Sequence, residues 1–277
     1  MTNQHPWRRY VALGDSFTEG IGDPEPRSVG GHRGWADRVA EVLAQSAPDF
    51  EYANLAVRGK LLHQIITEQV EPAVLLKPDL ITISAGGNDV IRPGSDPDAL
   101  AAEFDAGLER LATTGATIVL FTGVDVGFAP VFQRIRGKVA IYNENLRRVA
   151  AKHGALVADQ WALTEIQDAR MWDRDRLHLA PLGHHTVARM VLRTLGVEND
   201  LEPTQPEPLP DIPWRAARSE DLQWAREYFM PWIIRRIRRV SSGDNIQAKR
   251  PSAGPLIAAR PSDAGPDVSA TSGDPVP

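Results

Sequence analysis

The first two-thirds of the 277-residue chain alternates short apolar runs with longer amphipathic stretches. Tyr10, Val11, Ala12 and Leu13 form a strand-like run that ends at Gly14, and Trp35, Val39, Val42 and Leu43 then recur at helical spacing. Residues 52–57 predict a second strand and residues 61–76 a helix. A third strand is predicted over 80–83, closed by Gly86 and Gly87. Residues 96–113 place Leu100, Phe104, Leu108 and Leu111 on one helical face. A fourth strand (117–121), a helix (139–152), a short fifth strand (155–158) and a closing helix (181–195) complete the pattern. Pro181 opens the last helix, where its missing N–H removes no helical hydrogen bond. Short apolar strands separated by helices predict an α/β fold, a parallel sheet covered on both faces. The run contains no internal repeat.

The pattern changes after residue 197. Residues 198–218 are rich in Pro and Glu and read as a linker or extended strap. Residues 219–240 predict an amphipathic helix with Ser219 as N-cap, acids in its first turn and arginines toward its end. Leu222, Ala225, Phe229, Ile233, Ile237 and Val240 share a face, with Trp224, Tyr228 and Trp232 beside it, and Pro231 should kink or divide the helix. Two readings of this helix stay open. It packs back on the first 197 residues, or it presents aromatic and basic side chains to an anionic membrane surface. Residues 241–277 carry too few apolar side chains to offset ordering entropy, so a disordered tail is expected.

Composition narrows the function. At 42% apolar, the chain can bury one ordinary core. A formal net charge of -5 argues against nucleic acid as a partner. With no cysteine, disulfides, thiolate catalysis and cysteine-based zinc sites are excluded. Residues 1–9 are short and polar, with no leader-like apolar segment, and no apolar run approaches a membrane span. The expectation is a cytoplasmic protein; the oligomeric state is not encoded in any of these features.

Chemistry concentrates where predicted strands end. Gly14-Asp15-Ser16 follows the first strand, at the sheet edge where open parallel sheets bind ligands. A serine there can act as a nucleophile, or simply cap a helix or turn. Asp15 reads as a turn-fixing residue whose side chain bonds nearby backbone N–H groups. Gly86-Gly87-Asn88-Asp89 follows the third strand. If the strand order is 2-1-3-4-5, Asn88 faces the same crevice as Ser16 and can donate to an oxyanion. Gly59 leaves the second strand at that edge and offers a backbone N–H, or is only a loop glycine. Asp175 stands three residues before His178, a spacing that suits a carboxylate orienting an imidazole base, or a solvated loop ion pair. Residues 123–138, with Val124, Val126, Phe128, Val131 and Phe132, read as an overhanging apolar loop. It would line an acyl pocket or pack on the core. His184 and His185 read as surface or supporting residues of the last helix.

These four blocks, in this order over roughly residues 7–195, resemble the SGNH hydrolase superfamily, the GDSL-like lipases and esterases. Phe17 stands where the family usually has Leu. The resemblance makes residues 1–197 an SGNH hydrolase domain. It implies a three-layer α/β/α flavodoxin-like sandwich around a central five-stranded parallel sheet, with metal-free and cofactor-free ester hydrolysis. It also implies Ser16 as nucleophile, His178 and Asp175 as base and orienting acid, and an oxyanion hole from the Ser16 N–H, the Gly59 N–H and the Asn88 side chain. The substrate is then a small or lipid-like acyl ester. An acyltransferase on the same scaffold is the nearest alternative, and a non-catalytic binding module a more distant one. The Gly-x-Ser-x-Gly elbow, the phosphate-loop motif and the His-Glu-x-x-His zinc motif are absent.

Overall fold

The computed structural model describes residues 5–207, 223–231, 243 and 245–256. Five strands follow the predicted runs: β1 (Arg9–Gly14), β2 (Glu51–Asn54), β3 (Leu80–Ser84), β4 (Thr117–Phe121) and β5 (Leu156–Ala158). They pair in parallel in the order β5-β4-β3-β1-β2. The helices are α1 (Ser16–Glu19), α2 (Gly34–Gln45), α3 (Leu62–Leu75), α4 (Gly87–Val90), α5 (Pro97–Ala112), α6 (Arg136–His153) and α7 (Pro181–Thr194).

Alternation along the strands splits the core in two. Tyr10, Ala12, Tyr52 and Phe121 pack with Trp35, Leu43 and Val191 of α2 and α7. Val11, Leu13, Ile81 and Ile83 pack with Ile65, Phe104 and Leu146 of α3, α5 and α6. Each strand is therefore apolar on both faces, as a doubly covered parallel sheet requires. The result is the α/β/α sandwich.

Two expectations need correction. The second strand ends at Asn54 rather than 57, although Leu55 and Val57 still donate to the carbonyls of Ala12 (2.9 Å) and Gly14 (3.3 Å). The tail is not disordered throughout, and the sheet has six strands. Residues Arg250–Pro255 form β6, antiparallel to β2 at the sheet edge. An open edge offers unpaired N–H and C=O groups, so pairing there needs few apolar side chains. Lys249, just before β6, adds a buried ion pair with Asp37 (2.9 Å), and it also donates to the carbonyls of His32 and Arg33. Of the helix expected over 219–240, residues 223–231 are described. They are helical, with a π-turn over Ala225–Phe229. Ser219, Leu222, Trp232, Ile233, Ile237, Val240, the last arginines and residues 257–277 lie outside the described residues. Among the described residues, no helix is long and apolar enough to cross a membrane.

Candidate active site

The first strand delivers Ser16. Gly14, the last residue of β1, leaves no room for a side chain: a Cβ would lie 2.5 Å from Thr18 Oγ1 and 2.7 Å from the Ser84 carbonyl. Asp15 caps α1, its Oδ1 accepting from the Phe17 N–H at 3.1 Å, as its turn-fixing reading requires. Ser16 is thus the first residue of α1, held at the C-terminal edge of the central strand. The ladder pairs Gly14 with Ser84, so the loops after β1 and β3 emerge side by side.

The second loop carries Asn88 on α4. Gly86, its N-cap, has φ +91° and sits 2.3 Å (from a hypothetical Cβ) from the Tyr142 hydroxyl, so only glycine fits. Asn88 Nδ2 donates to Asp15 Oδ2 (2.9 Å) and to the Lys60 carbonyl (3.0 Å). One amide therefore ties together the turn that carries Ser16, the β3 loop and the loop that holds Gly59.

That third loop is clamped onto α1. The buried Glu19 carboxylate accepts the Arg58 N–H (2.7 Å) and pairs with its guanidinium at 2.5 Å. Asn54, fully buried, donates to the Thr18 carbonyl at 2.9 Å and accepts from the Ala56 N–H at 3.1 Å. Gly59 has φ +75°, which the turn requires.

The fourth piece is a reversal over residues 173–178, closed where Trp172 bridges Leu179. The Asp173 N–H donates to the His178 carbonyl, and the Arg176 N–H to the Asp173 carbonyl, both at 2.8 Å. Asp175 Oδ1 accepts the N–H groups of Leu177 (2.9 Å) and His178 (3.0 Å), while Oδ2 lies 2.5 Å from His178 Nδ1. Burial raises the Asp175 pKa, but the bonds from the His178 ring and from both backbone N–H groups outweigh it, and the carboxyl sits below its usual range. An ionised carboxylate only accepts, so Nδ1 carries the proton and Nε2 is left as the basic nitrogen.

Ser16, Asn88 and His178 all line one cavity of about 1130 Å³. Val126, Phe128, Val131 and Phe132, from the segment after β4, make it largely apolar, and Trp224 and Tyr228 contribute from the C-terminal segment. Gly59 is not among the residues lining it.

Of the two readings of His184, surface or supporting, the structure removes the first. It is fully buried, accepting the Trp35 N–H at Nδ1 (3.2 Å) and donating from Nε2 to the Ile21 carbonyl (3.0 Å). Burial pushes its pKa down to about 4. His185 is half-buried, with Nε2 on the Glu202 carbonyl at 2.8 Å. Among the described residues, no three His, Asp or Glu side chains are grouped to hold a metal ion.

Several supporting residues were not singled out by motif. Gln69 was detectable, because the spacing of Leu62, Ile65, Gln69 and Ala73 puts it on the buried stripe of α3. Glu19 and Arg58 carry no such signal; an exposed acid and a loop arginine would have the same sequence.

The sheet order and the gathering of these strand-end loops define a hydrolase fold of the SGNH type. Residues 12–186 match the family described as GDSL-like Lipase/Acylhydrolase, and the chain belongs to that family. No curated protein matches it in sequence. Among solved structures it is similar to Axe2, an acetylxylan esterase from Geobacillus stearothermophilus. That pair shares 21% identity over 72% of this chain and 98% of the other, with a TM-score of 0.57. LAE5, an alpha/beta hydrolase enzyme from the metagenome of Lake Arreo, Spain, is 23% identical over 71% and 98% of the chains, TM-score 0.59. TesA is 20% identical over 68% and 98%, TM-score 0.56. Identities this low carry the shared fold alone.

Proposed function

We propose that this protein is a serine ester hydrolase acting on carboxylic esters with an apolar acyl group. The observation that carries the reading is the Asp175–His178 pair at 2.5 Å, whose histidine lines one largely apolar cavity with Ser16 and Asn88. Ser16 Oγ attacks the ester carbonyl as its proton passes to His178 Nε2, and Asp175 stabilises the imidazolium through Nδ1–H. The carbonyl oxygen becomes an oxyanion held by the Ser16 backbone N–H and the Asn88 amide, the two donors whose residues line the cavity. In the free protein Asn88 Nδ2 is engaged by Asp15 and Lys60, so donation to the oxyanion shares or replaces one of those bonds. Collapse expels the alcohol, which takes the proton from His178. Water then attacks the acyl-Ser16 ester, giving its proton to the same nitrogen, and the acid leaves with Ser16 Oγ reprotonated.

Hydrolysis of p-nitrophenyl esters of graded chain length tests this, with intact-mass detection of a fluorophosphonate adduct. The expected result is one adduct, on Ser16, and near-complete loss of hydrolysis in a folded Ser16→Ala protein. An adduct on another serine, or full activity in Ser16→Ala, rejects the assignment.

A further inference from the structure

Part of the cavity wall comes from outside residues 12–186. Gln223, Trp224, Glu227 and Tyr228 line the cavity that holds Ser16 and His178. Trp224 also reaches the turn that presents the histidine. Its indole Nε1–H donates to the backbone carbonyl of Asp175 at 2.8 Å, and the Arg176 guanidinium stands 4.9 Å from its ring centroid. That carbonyl belongs to the planar peptide joining Asp175 to Arg176. Holding its oxygen therefore constrains ψ of Asp175 and φ of Arg176 together. Arg176 has φ +55°, a conformation that costs a non-glycine residue free energy and persists only when its surroundings hold it. The Asp175 carboxylate and the His178 ring are carried by this same short turn.

The chain on either side is tied down. Arg189 and Arg170 donate to the carbonyls of Leu201 and Glu207 before the segment. After it, Gly243 lies so close to the Arg58 carbonyl that a Cβ would stand 2.0 Å away, and β6 and Lys249 follow.

We propose that Trp224 is a positioning residue for the Asp175–His178 pair and a wall of the acyl cavity, so that the C-terminal segment completes the active site. The inference rests on the ester-hydrolase reading above. The indole N–H fixes the peptide that sets the carboxylate's aim, and the ring adds apolar surface along which a longer acyl chain lies.

The test compares wild type, Trp224→Phe, Trp224→Ala and Ser16→Ala on p-nitrophenyl acetate and octanoate, with pH profiles of kcat/KM and thermal melts. Trp224→Phe keeps a ring and removes the donor. It should lower kcat about fivefold on both esters at unchanged KM, in line with one lost hydrogen bond. Its acid limb should move to lower pH, because a less firmly held carboxylate stabilises the imidazolium less. Trp224→Ala should add a rise in KM of roughly tenfold for octanoate and little for acetate, from the lost apolar contact. Should Trp224→Ala fail to fold, Trp224→Phe carries the decision. Wild-type kcat and an unmoved acid limb in Trp224→Phe overturn the proposal. So does a kcat loss that only mirrors a loss of thermal stability with the acid limb in place, since that is a purely structural role. In either case an inactive Ser16→Ala leaves the hydrolase reading standing, whereas an active Ser16→Ala removes both.

Discussion

The Gln69 side-chain amide grips both backbone groups of Gly14: Oε1 accepts the Gly14 N–H at 2.8 Å, and Nε2 donates to the Gly14 carbonyl at 2.9 Å. A helix side chain thereby stands in for a strand neighbour at the residue where β1 turns into α1. Gly14 and Gln69 are both buried, so no water replaces these bonds. Gln69→Leu leaves the N–H without a partner and should cost about 1–3 kcal/mol. Urea denaturation measures it, and an unchanged midpoint would mean the loop finds another partner.

In the proposed mechanism, charge develops on the substrate oxygen only as Ser16 attacks, which decides how Asn88 and Asp175 variants should behave. Asn88→Ala should lower kcat on the order of 10²- to 10³-fold with little change in KM. Asp175→Asn keeps an acceptor for the turn but permits the wrong histidine tautomer, and a loss on the order of 10³- to 10⁴-fold is expected. Steady-state kinetics on one soluble ester reads both; a change confined to KM in Asn88→Ala would make that side chain a substrate-binding group instead.

His184 links stability to pH. Its folded pKa of about 4 lies below the ordinary 6.5, because burial disfavours the imidazolium between the Trp35 N–H and the Ile21 carbonyl. Below pH 6.5 the unfolded chain takes up a proton that the folded one refuses. The contribution is therefore complete above 6.5 and is lost as pH falls toward 4, amounting to about 3 kcal/mol. Thermal melts from pH 7.5 to 4.5 should show Tm falling across this window. In His184→Gln the protein should be less stable at pH 7 and flatter over the same range. A wild-type Tm that stays level down to pH 4.5 contradicts this account.

Lys249 and Asp37 are 3% and 5% exposed, so each charge depends on the other. Burial pushes the lysine pKa down and the aspartate pKa up, the directions expected of desolvated ions. Lys249→Met strands a buried carboxylate and should destabilise by about 3–5 kcal/mol. The double variant Asp37→Asn with Lys249→Met should recover most of that loss in chemical denaturation. Without recovery, the lysine acts through its bonds to the His32 and Arg33 carbonyls rather than through the ion pair.

Much of this was legible in the chain itself. The alternation of Tyr10 to Leu13 between the two faces, the α2, α5 and α7 stripes, and the glycines closing β1 and β3 are local properties. Each depends on residues a few positions apart, and periodicity and turn chemistry report such neighbours directly. Asp175 and His178 belong to the same class, since a single turn brings them together. So does Asp15, whose carboxylate caps the next residues.

Distance along the chain separates these from what only the tertiary structure decided. Gln69 meeting Gly14, Glu19 meeting Arg58 and Trp224 meeting Asp175 are each joined by packing, not by spacing. The same holds for β6. Residues 250–255 have almost no apolar pattern, and they become a strand because the β2 edge supplies their hydrogen-bond partners and Asp37 supplies the counter-charge for Lys249. Burial of a polar side chain is favourable only when its partner is already in place, and that partner is set by how the sheet and helices assemble. Sequence alone therefore determined the five parallel strands, the helices between them and the polar residues placed where those strands end. Tertiary packing decided which buried polar groups hold them in register, because those bonds exist only between segments that folding has brought together.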